Sequence, residues 1–344
     1  MIGISAYAGL EFEIKEILDY IKKAYDEGVK VLFTSAHMPE AGGHFEKEFE
    51  EILNLCNELD ITTIVDISKD YFERLDLEKY KIDYIRLDYG FTLKEAALMT
   101  KEQGFGVSVN ATTFDKKKIE KFIEYGGKLD RINACHNFYP RRDTGISEEL
   151  FIEKNQIFKQ YGITTMAFIP SNYKRRGPVY EGLPTLEIHR DINPIISYQH
   201  LLKLGIDFIV IGDAMASIEE LKVLSNIDKD ITLLPIKLKG DLSPVELSIL
   251  NSLHTNRVDP GAYTIRSQES RLIKEGNIAP NNNILREKYS VTIDNQKYNR
   301  YEGELQILKK DLNPDPRVNV VGDVSEAEIL VESLQPGEKF KFYF

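Results

Sequence analysis

Four carboxylates are the first candidates for chemistry in this sequence, because carboxylates commonly act as general acids, general bases and nucleophiles. Asp66, Asp88 and Asp213 each directly follow a short apolar run, and Glu181 lies in a polar stretch. If these side chains meet, their mutual repulsion pushes their pKa values apart, as separate acid and base roles require. We therefore take all four as candidate catalytic residues.

Positive charges cluster in two segments of this otherwise acidic chain. The segment 139–145 carries Arg141 and Arg142, and the segment 171–178 carries three cations that include Arg176. Arginine binds phosphate through two parallel hydrogen bonds, so the two segments predict a ligand that carries a phosphate group. Solvated loops that keep the protein soluble are the alternative interpretation.

The elements that must position these residues repeat along the first two thirds of the chain. Short apolar runs alternate with amphipathic segments, such as 11–27, whose apolar stripe stops at Gly28. Eight such βα units in about 225 residues predict a TIM barrel. A doubly wound open sheet is the alternative, but no glycine-rich phosphate loop follows the first strand. The predicted strands are 2–6, 30–36, 62–67, 84–88, 106–110, 130–134, 164–169 and 208–212.

Polar residues lie where these predicted strands end, which is the side of a TIM barrel that carries its chemistry. Arg86 stands inside an apolar strand pattern, where a charge is costly unless it is paired or hydrated. With Asp66 and Asp88 nearby, we expect a polar cluster at the barrel mouth; an ion-pair network that only closes the barrel is the alternative. The candidate substrate-binding residues of this domain are Ser35, His37, Arg86, Asn110, Asn133, His136, Asn137, Tyr139, Arg141, Arg142 and Arg176.

A divalent metal is another use for the same oxygen-rich set, with His37 or His136 as a further ligand. The spacings HxH and HExxH do not occur, however, and two cysteines cannot build a thiolate cage. We therefore expect neither a metal nor another cofactor.

Beyond residue 230 the helical alternation ends, and strand patterns separated by turn residues predict a small β-rich domain, expected to be a barrel. We divide the chain into a TIM-barrel domain, 1–229, and a β domain, 230–344. Arg266, with Arg257 and Arg271 beside it, is expected to bind substrate by closing the barrel mouth, in the same chain or in a dimer partner. A solvated basic surface is the alternative. The predicted strands are 231–238, 262–267, 289–293, 304–308, 318–321, 329–332 and 339–344.

The charge balance limits the classes of partner. The 344 residues include 44 Lys and Arg against 55 Asp and Glu, a net charge of −11. Nucleic-acid binders normally present a basic face, so that class is disfavoured. No apolar run approaches the ~20 residues of a membrane helix, and the first residues lack the basic start of an export signal. We therefore predict a cytoplasmic protein with neither a nucleic-acid nor a membrane partner.

Two long motifs carry a family resemblance. They are His136-Asn-Phe-Tyr-Pro-Arg-Arg-Asp-Thr-Gly145 and Arg176-Gly-Pro-Val-Tyr-Glu-Gly-Leu-Pro-Thr-Leu-Glu-Ile-His-Arg190. Both closely resemble the bacterial 6-phospho-N-acetylmuramidase family, as does the shorter motif Ile85-Arg-Leu-Asp-Tyr-Gly90. The similarity extends over essentially the whole chain, including the β domain.

This resemblance implies a TIM barrel followed by a cyclophilin-like β-barrel. It also implies cytoplasmic hydrolysis of MurNAc 6-phosphate–GlcNAc, which phosphotransferase uptake delivers during peptidoglycan recycling. A phosphorylated amino-sugar disaccharide is therefore the expected ligand. Where a typical member has one arginine in the tyrosine–proline motif, this chain has Arg141 and Arg142, and which of them contacts the ligand is open.

A glycosidase is the leading hypothesis. A TIM-barrel phosphosugar isomerase or epimerase is one alternative, and a non-catalytic sugar-phosphate binding protein, which needs the cations but not the acids, is another. Asp66 and Asp88 lie on neighbouring predicted strands, and the backbones of neighbouring strands are about 4.8 Å apart. This closeness favours the short carboxyl separation of a retaining glycosidase. The division of acid, base and nucleophile roles is open, and the 2-acetamido group of MurNAc could replace the protein nucleophile.

Overall fold

In the computed structural model, which describes residues 1–36, 44–74 and 79–344, eight parallel strands pair in chain order into a closed barrel. The last strand pairs with the first, with Ile2 opposite Ile209 and Ile4 opposite Ile211, which closes the ring. The TIM-barrel prediction is therefore confirmed. The strands are β1 (Ile2–Ser5), β2 (Val31–Ser35), β3 (Thr62–Ile67), β4 (Tyr84–Leu87), β5 (Gly106–Asn110), β6 (Ile132–Cys135), β7 (Thr164–Ile169) and β8 (Phe208–Ile211).

Helices follow the strands and cover the outside of the barrel. Thr92 and Ser217 begin two of them with capping boxes, in which the hydroxyl and a Glu three residues later satisfy each other's backbone N–H groups. No helix of the described residues is long and apolar enough to cross a bilayer. The helices are α1 (Ile14–Asp26), α2 (Phe45–Glu58), α3 (Lys69–Phe72), α4 (Leu93–Glu102), α5 (Lys116–Glu124), α6 (Glu148–Gln160), α7 (Pro194–Lys203) and α8 (Ile218–Ser225).

The barrel interior contains both an apolar cluster and a row of polar residues. The buried apolar cluster includes Phe33, Cys135 and Phe168. Strand register also places five polar residues side by side on neighbouring strands, and residues in register share one face of the sheet. This polar row consists of Ser35, Asp66, Arg86, Ser108 and Asn133. Strand pairing therefore brings these polar side chains together inside the barrel.

The chain divides into two compact units, Met1–Asn226 and Ile227–Phe344, and the boundary predicted after residue 229 lies close to that division. The second unit contains a five-stranded sheet and a three-stranded sheet. Its strands are β9 (Ile231–Pro235), β10 (Lys237–Leu238), β11 (His254–Thr255), β12 (Thr264–Arg266), β13 (Ser290–Asp294), β14 (Leu305–Leu308), β15 (Val318–Asp323) and β16 (Lys339–Tyr343). The strand order is β10-β15-β13-β14-β12 in the first sheet and β11-β16-β9 in the second.

Three short helices accompany these sheets: α9 (Pro244–Leu250), α10 (Ser270–Ile273) and α11 (Glu328–Ser333). The strand predicted over 329–332 is wrong, because this segment forms α11. The buried residues Leu330 and Val331 of α11, with Ala327 just before it and Leu334 just after it, are spaced by three and four residues, as on one face of a helix. The β-branched residues of the segment had favoured a strand, and packing of that apolar face overrides them.

Both cysteines of the chain are free and buried. Cys56 lies on α2 in the outer layer, and Cys135 ends β6 in the barrel interior. Burial raises the pKa of each thiol to about 12. Neither is therefore a thiolate at neutral pH.

Candidate active site

Arg86 is the centre of a charged cluster at the end of β4. Its Nη1 donates to Asp66 of β3 and lies 3.5 Å from Oδ1 of Asp88, and its Nη2 donates to the side-chain oxygen of Asn137. The Arg86 side chain is only 7% exposed, whereas Asp66 is 22% and Asp88 46% exposed. We call Asp66, Arg86, Asp88 and Asn137 the Arg86 cluster. The structure thus brings four of the predicted site residues together.

The two carboxylates of this cluster have different surroundings. Burial raises the pKa of Asp66, Arg86 opposes that rise, and the nearby charge of Asp88 adds to it. Burial of Arg86 would lower its pKa, but Asp66 outweighs that effect and the pKa of Arg86 rises. Arg86 therefore stays charged, and it lets two acids lie close together at the barrel mouth.

A pocket of about 190 Å³ opens onto the Arg86 cluster, with three phenylalanines forming the rest of its wall. Phe33 and Phe138 each lie 5.0 Å, centre to centre, from Phe168, with the rings nearly perpendicular. Aromatic faces of this kind suit the C–H groups of a sugar ring, because the ring face is electron-rich. Sequence reasoning missed these residues, although Phe33 shares its strand face with Ser35.

Arg176, from the loop after β7, lies near enough to this pocket for its charge to help lower the pKa of Asp66, after the larger effect of Arg86. Its guanidinium carbon lies 4.3 Å from the ring centre of Tyr7 and 5.5 Å from that of Phe138. Its Nε is buried and makes no hydrogen bond, and no carboxylate of the described residues forms an ion pair with it. A cation held this way is suited to an anionic group of a ligand.

Asp213, which follows β8, holds the backbone of that loop through hydrogen bonds. It is fully buried, and its two oxygens accept the backbone N–H groups of Ser171 at 2.9 Å and Arg176 at 3.0 Å. Burial raises the pKa of Asp213, and these two hydrogen bonds oppose the rise. Both oxygens are thus engaged in holding the loop that presents Arg176.

The loop after β6 presents two arginines in different settings. Arg142 donates to Asp191, and its Nε lies 3.9 Å from Glu181, whose Oε2 also accepts the backbone N–H of Arg142 at 3.1 Å. Arg141 is exposed, and in the part of the chain that the structure covers it forms no ion pair. The charges of Arg142 and Glu181 are therefore directed at each other and at Asp191, whereas that of Arg141 is available.

His136 is placed away from the barrel mouth, in contrast to its predicted role in substrate binding. Its ring packs 4.3 Å, centre to centre, from Phe151 of α6, and it is fully buried. Burial lowers its pKa to about 3. The reason is alternation along the strand end: Cys135 and Asn137 face the interior, so the residue between them faces the helices.

The remaining predicted residues are dispersed. Ser35 and Asn133 are buried members of the polar row, and Tyr139 is half-buried. The side-chain oxygen of Asn110 accepts the backbone N–H of Thr112 at 3.0 Å, which fixes a turn. His37 lies outside the described residues.

Arg266 belongs to the second unit. Its Nη2 lies 2.9 Å from Asp259, and its Nη1 lies 3.7 Å from Glu304. Its role in substrate binding stays a prediction. Among the residues that the structure describes, no three His, Cys, Asp or Glu side chains meet as a metal site.

Comparison with known proteins covers both units. Residues 2–226 match the family model described as 6-phospho-N-acetylmuramidase, N-terminal, and residues 232–343 match 6-phospho-N-acetylmuramidase, C-terminal. An uncharacterized B. cereus protein of known structure is 31% identical with a TM-score of 0.86, and the match covers 100% of this chain and 99% of that chain. A conserved Enterococcus faecalis protein of unknown function is 28% identical, with a TM-score of 0.82 over 100% and 96% of the two chains. No curated protein matches.

Proposed function

This chain belongs to the 6-phospho-N-acetylmuramidase family, a family of glycosidases, and on that premise we propose that it hydrolyses MurNAc 6-phosphate–GlcNAc to MurNAc 6-phosphate and GlcNAc. The observation that carries the proposal is the Arg86 cluster, which presents two carboxylates to an aromatic pocket beside the cation of Arg176. A glycosidase needs such a pair of acids, and a phosphorylated sugar needs such a cation.

The spacing of the two acids supports a retaining reaction. A single nitrogen, Nη1 of Arg86, contacts oxygens of both Asp66 and Asp88. The two oxygens therefore lie closer together than the roughly 6.5 Å at which inverting pairs begin, which is compatible with the ~5–5.5 Å of retaining pairs. We propose Asp66 and Asp88 as the central catalytic pair.

In the proposed reaction, one group attacks the anomeric carbon of MurNAc 6-phosphate while the bond to the GlcNAc oxygen breaks. An acid of the pair donates the proton that the GlcNAc oxygen takes up. Water then attacks the anomeric carbon and displaces the attacking group from it, and one proton of that water passes to the same carboxylate, which restores the acid. The attacking group is the second carboxylate or the carbonyl oxygen of the substrate's own 2-acetamido group, and both routes retain the configuration.

We assign the other two predicted acids to positioning. Asp213 holds the backbone of Arg176, and Glu181 pairs with Arg142 of the loop after β6. Arg176 and Arg141 are the proposed contacts of the phosphate, because Arg142 is engaged by Asp191. Asn137, which lines the pocket, is a proposed contact of the sugar. For Tyr139, Ser35, Asn110 and Asn133, contact with the substrate stays a prediction.

The cell would use this reaction in the cytoplasm, during recycling of peptidoglycan fragments. The support is the phosphorylated substrate. The family resemblance implies that the disaccharide acquires its 6-phosphate during uptake by a phosphotransferase system, which delivers it to the cytoplasm.

Product analysis tests the proposal directly. The purified protein is incubated with MurNAc 6-phosphate–GlcNAc and, separately, with the unphosphorylated disaccharide, and released GlcNAc is measured. We expect release from the phosphorylated substrate only. Tight binding without release would instead indicate a sugar-phosphate binding protein, and a rearranged sugar with the glycosidic bond intact would indicate an isomerase or epimerase.

A further inference from the structure

An arginine–glutamate pair outside the pocket joins the two loops that carry the cations. Arg190 is only 2% exposed, and its Nε and Nη2 donate to the two carboxylate oxygens of Glu187 at 2.5 and 2.6 Å. Two parallel hydrogen bonds of this kind fix both side chains in one orientation. The hydrogen bonds from Arg190 hold the pKa of Glu187 down at about 2, so the pair stays ionised.

The remaining donors of Arg190 reach carbonyl groups of both loops. Its Nη2 donates to the carbonyl oxygen of Arg141 at 3.1 Å, in the loop after β6. Its Nη1 donates to the carbonyl oxygen of Gly182 at 3.1 Å and, more weakly, to that of Glu181 at 3.4 Å, in the loop after β7. One buried guanidinium thus ties the two loops together.

Glu187 completes the connection from its side. Its oxygens accept the backbone N–H of Asp143 at 3.0 Å and that of Gly145 at 2.7 Å. Asp143 has a φ of 64°, a strained backbone for a residue with a side chain, and the hydrogen bond to Glu187 stabilises it there. A Cβ on Gly145 would lie 2.5 Å from Oε2 of Glu187, so this approach requires glycine.

Neither Glu187 nor Arg190 lines the pocket of the Arg86 cluster. Their contacts instead fix residues 141–145, the segment that begins with Arg141, which forms no ion pair with any of the described residues. Exposed loops lose conformational freedom when they bind a ligand, and that loss weakens binding unless the loop is ordered beforehand.

We infer that Glu187 and Arg190 are positioning residues, which order the loop after β6 so that Arg141 meets the phosphate of the substrate. This inference rests on the proposed function. It predicts a specific kinetic signature: loss of the pair weakens binding of the phosphorylated substrate, while the chemistry at Asp66 and Asp88 continues.

The variants Glu187→Gln and Arg190→Met test the inference, with Arg190→Lys as the conservative variant. Glu153→Gln, at a 65% exposed site on α6, is the matched control. We expect KM for MurNAc 6-phosphate–GlcNAc to rise about tenfold or more, with kcat within about threefold of wild type. Arg190→Lys keeps the charge but not the two parallel hydrogen bonds, so it recovers part of the loss.

Two further measurements separate positioning from a general loss of structure. Hydrogen exchange of the Asp143 and Gly145 amides is expected to accelerate in Glu187→Gln and not in the control. Binding of MurNAc 6-phosphate, measured by calorimetry, is expected to weaken by the same factor as KM rises, whereas binding of unphosphorylated MurNAc is unchanged.

The outcomes distinguish the inference from the function on which it rests. If wild type binds and cleaves the phosphorylated substrate and the variants do so equally well, the inference alone is overturned. The same holds if kcat falls while KM is unchanged, or if both sugars bind less tightly by equal factors. If wild type neither binds nor cleaves, the proposed function fails and the inference fails with it.

Discussion

Replacing Asp88 with Asn removes a carboxylate while keeping the volume of the side chain. Asp88 is 46% exposed and 3.5 Å from Arg86, so its ion pair contributes at most about 1 kcal/mol to folding stability. The melting temperature should therefore fall by no more than about 4 °C. Loss of a general acid, base or nucleophile costs far more in rate, and we expect kcat to fall by a factor of roughly 10²–10⁴.

The same change at Asp66 should affect folding stability as well as activity. Its partner Arg86 is 7% exposed, and removing one member of a buried pair costs about 3–5 kcal/mol because the other charge loses its compensation. That corresponds to a drop of roughly 6–20 °C in melting temperature for a unit of this size. Asp66→Asn should thus lose both activity and stability, whereas Asp88→Asn loses activity alone.

The assay combines GlcNAc release with a thermal melt for each variant. Asp130→Asn, at an exposed site before the start of β6, is the control and should match wild type in both. A near-normal kcat in Asp88→Asn would remove Asp88 from the catalytic pair. An unchanged melting temperature in Asp66→Asn would refute the argument from burial.

Three other predictions follow from the site and from the second unit. Arg176→Ala should lower kcat/KM for the phosphorylated substrate by a factor of roughly ten to two hundred, which corresponds to the loss of ~1.5–3 kcal/mol of charged hydrogen bonding. Arg142→Ala should lower kcat/KM less. Equal cleavage of the unphosphorylated disaccharide by wild type would contradict this prediction. NMR of the first-formed anomer should show retained configuration, and an inverted product would refute the retaining pair. Burial raises the pKa of Asp294 to about 7, so the folded protein holds a proton that the unfolded chain releases near pH 4. Stability should therefore fall by at most about 4 kcal/mol as the pH rises from about 4 to about 7, and denaturant unfolding should show this slope in wild type but not in Asp294→Asn.

Local sequence signals predicted much of the fold and the centre of the site. Arg86 and Asp88 stand two residues apart, so alternation along an extended strand places them on one face. The residues Thr92-Leu-Lys-Glu95 have the pattern of a capping box, which begins α4. The same alternation excludes His136 from the mouth, but only once Asn137 is known to face inward.

Contacts between distant segments were beyond the reach of sequence patterns. Arg142 pairs with Asp191, whereas Arg141 pairs with no acid of the described residues. This difference depends on how two loops pack. The pairing of Glu187 with Arg190 looks like an ordinary contact within one turn, and only the fold shows that it holds the carbonyl of Arg141. Such contacts carry no signature in composition or periodicity.

The two buried cysteines allow local unfolding of the first unit to be followed by thiol labelling. The thiolate is the nucleophile that attacks thiol reagents, and with a pKa of about 12 both Cys56 and Cys135 should resist labelling in the native state. Because the second unit has no cysteine, the labelling rate reports on the first unit alone. The chain has no tryptophan, so tryptophan fluorescence cannot report on unfolding of either unit. Because Cys56 lies on an outer helix and Cys135 inside the barrel, mass spectrometry of the labelled chain should distinguish detachment of α2 from rupture of the ring.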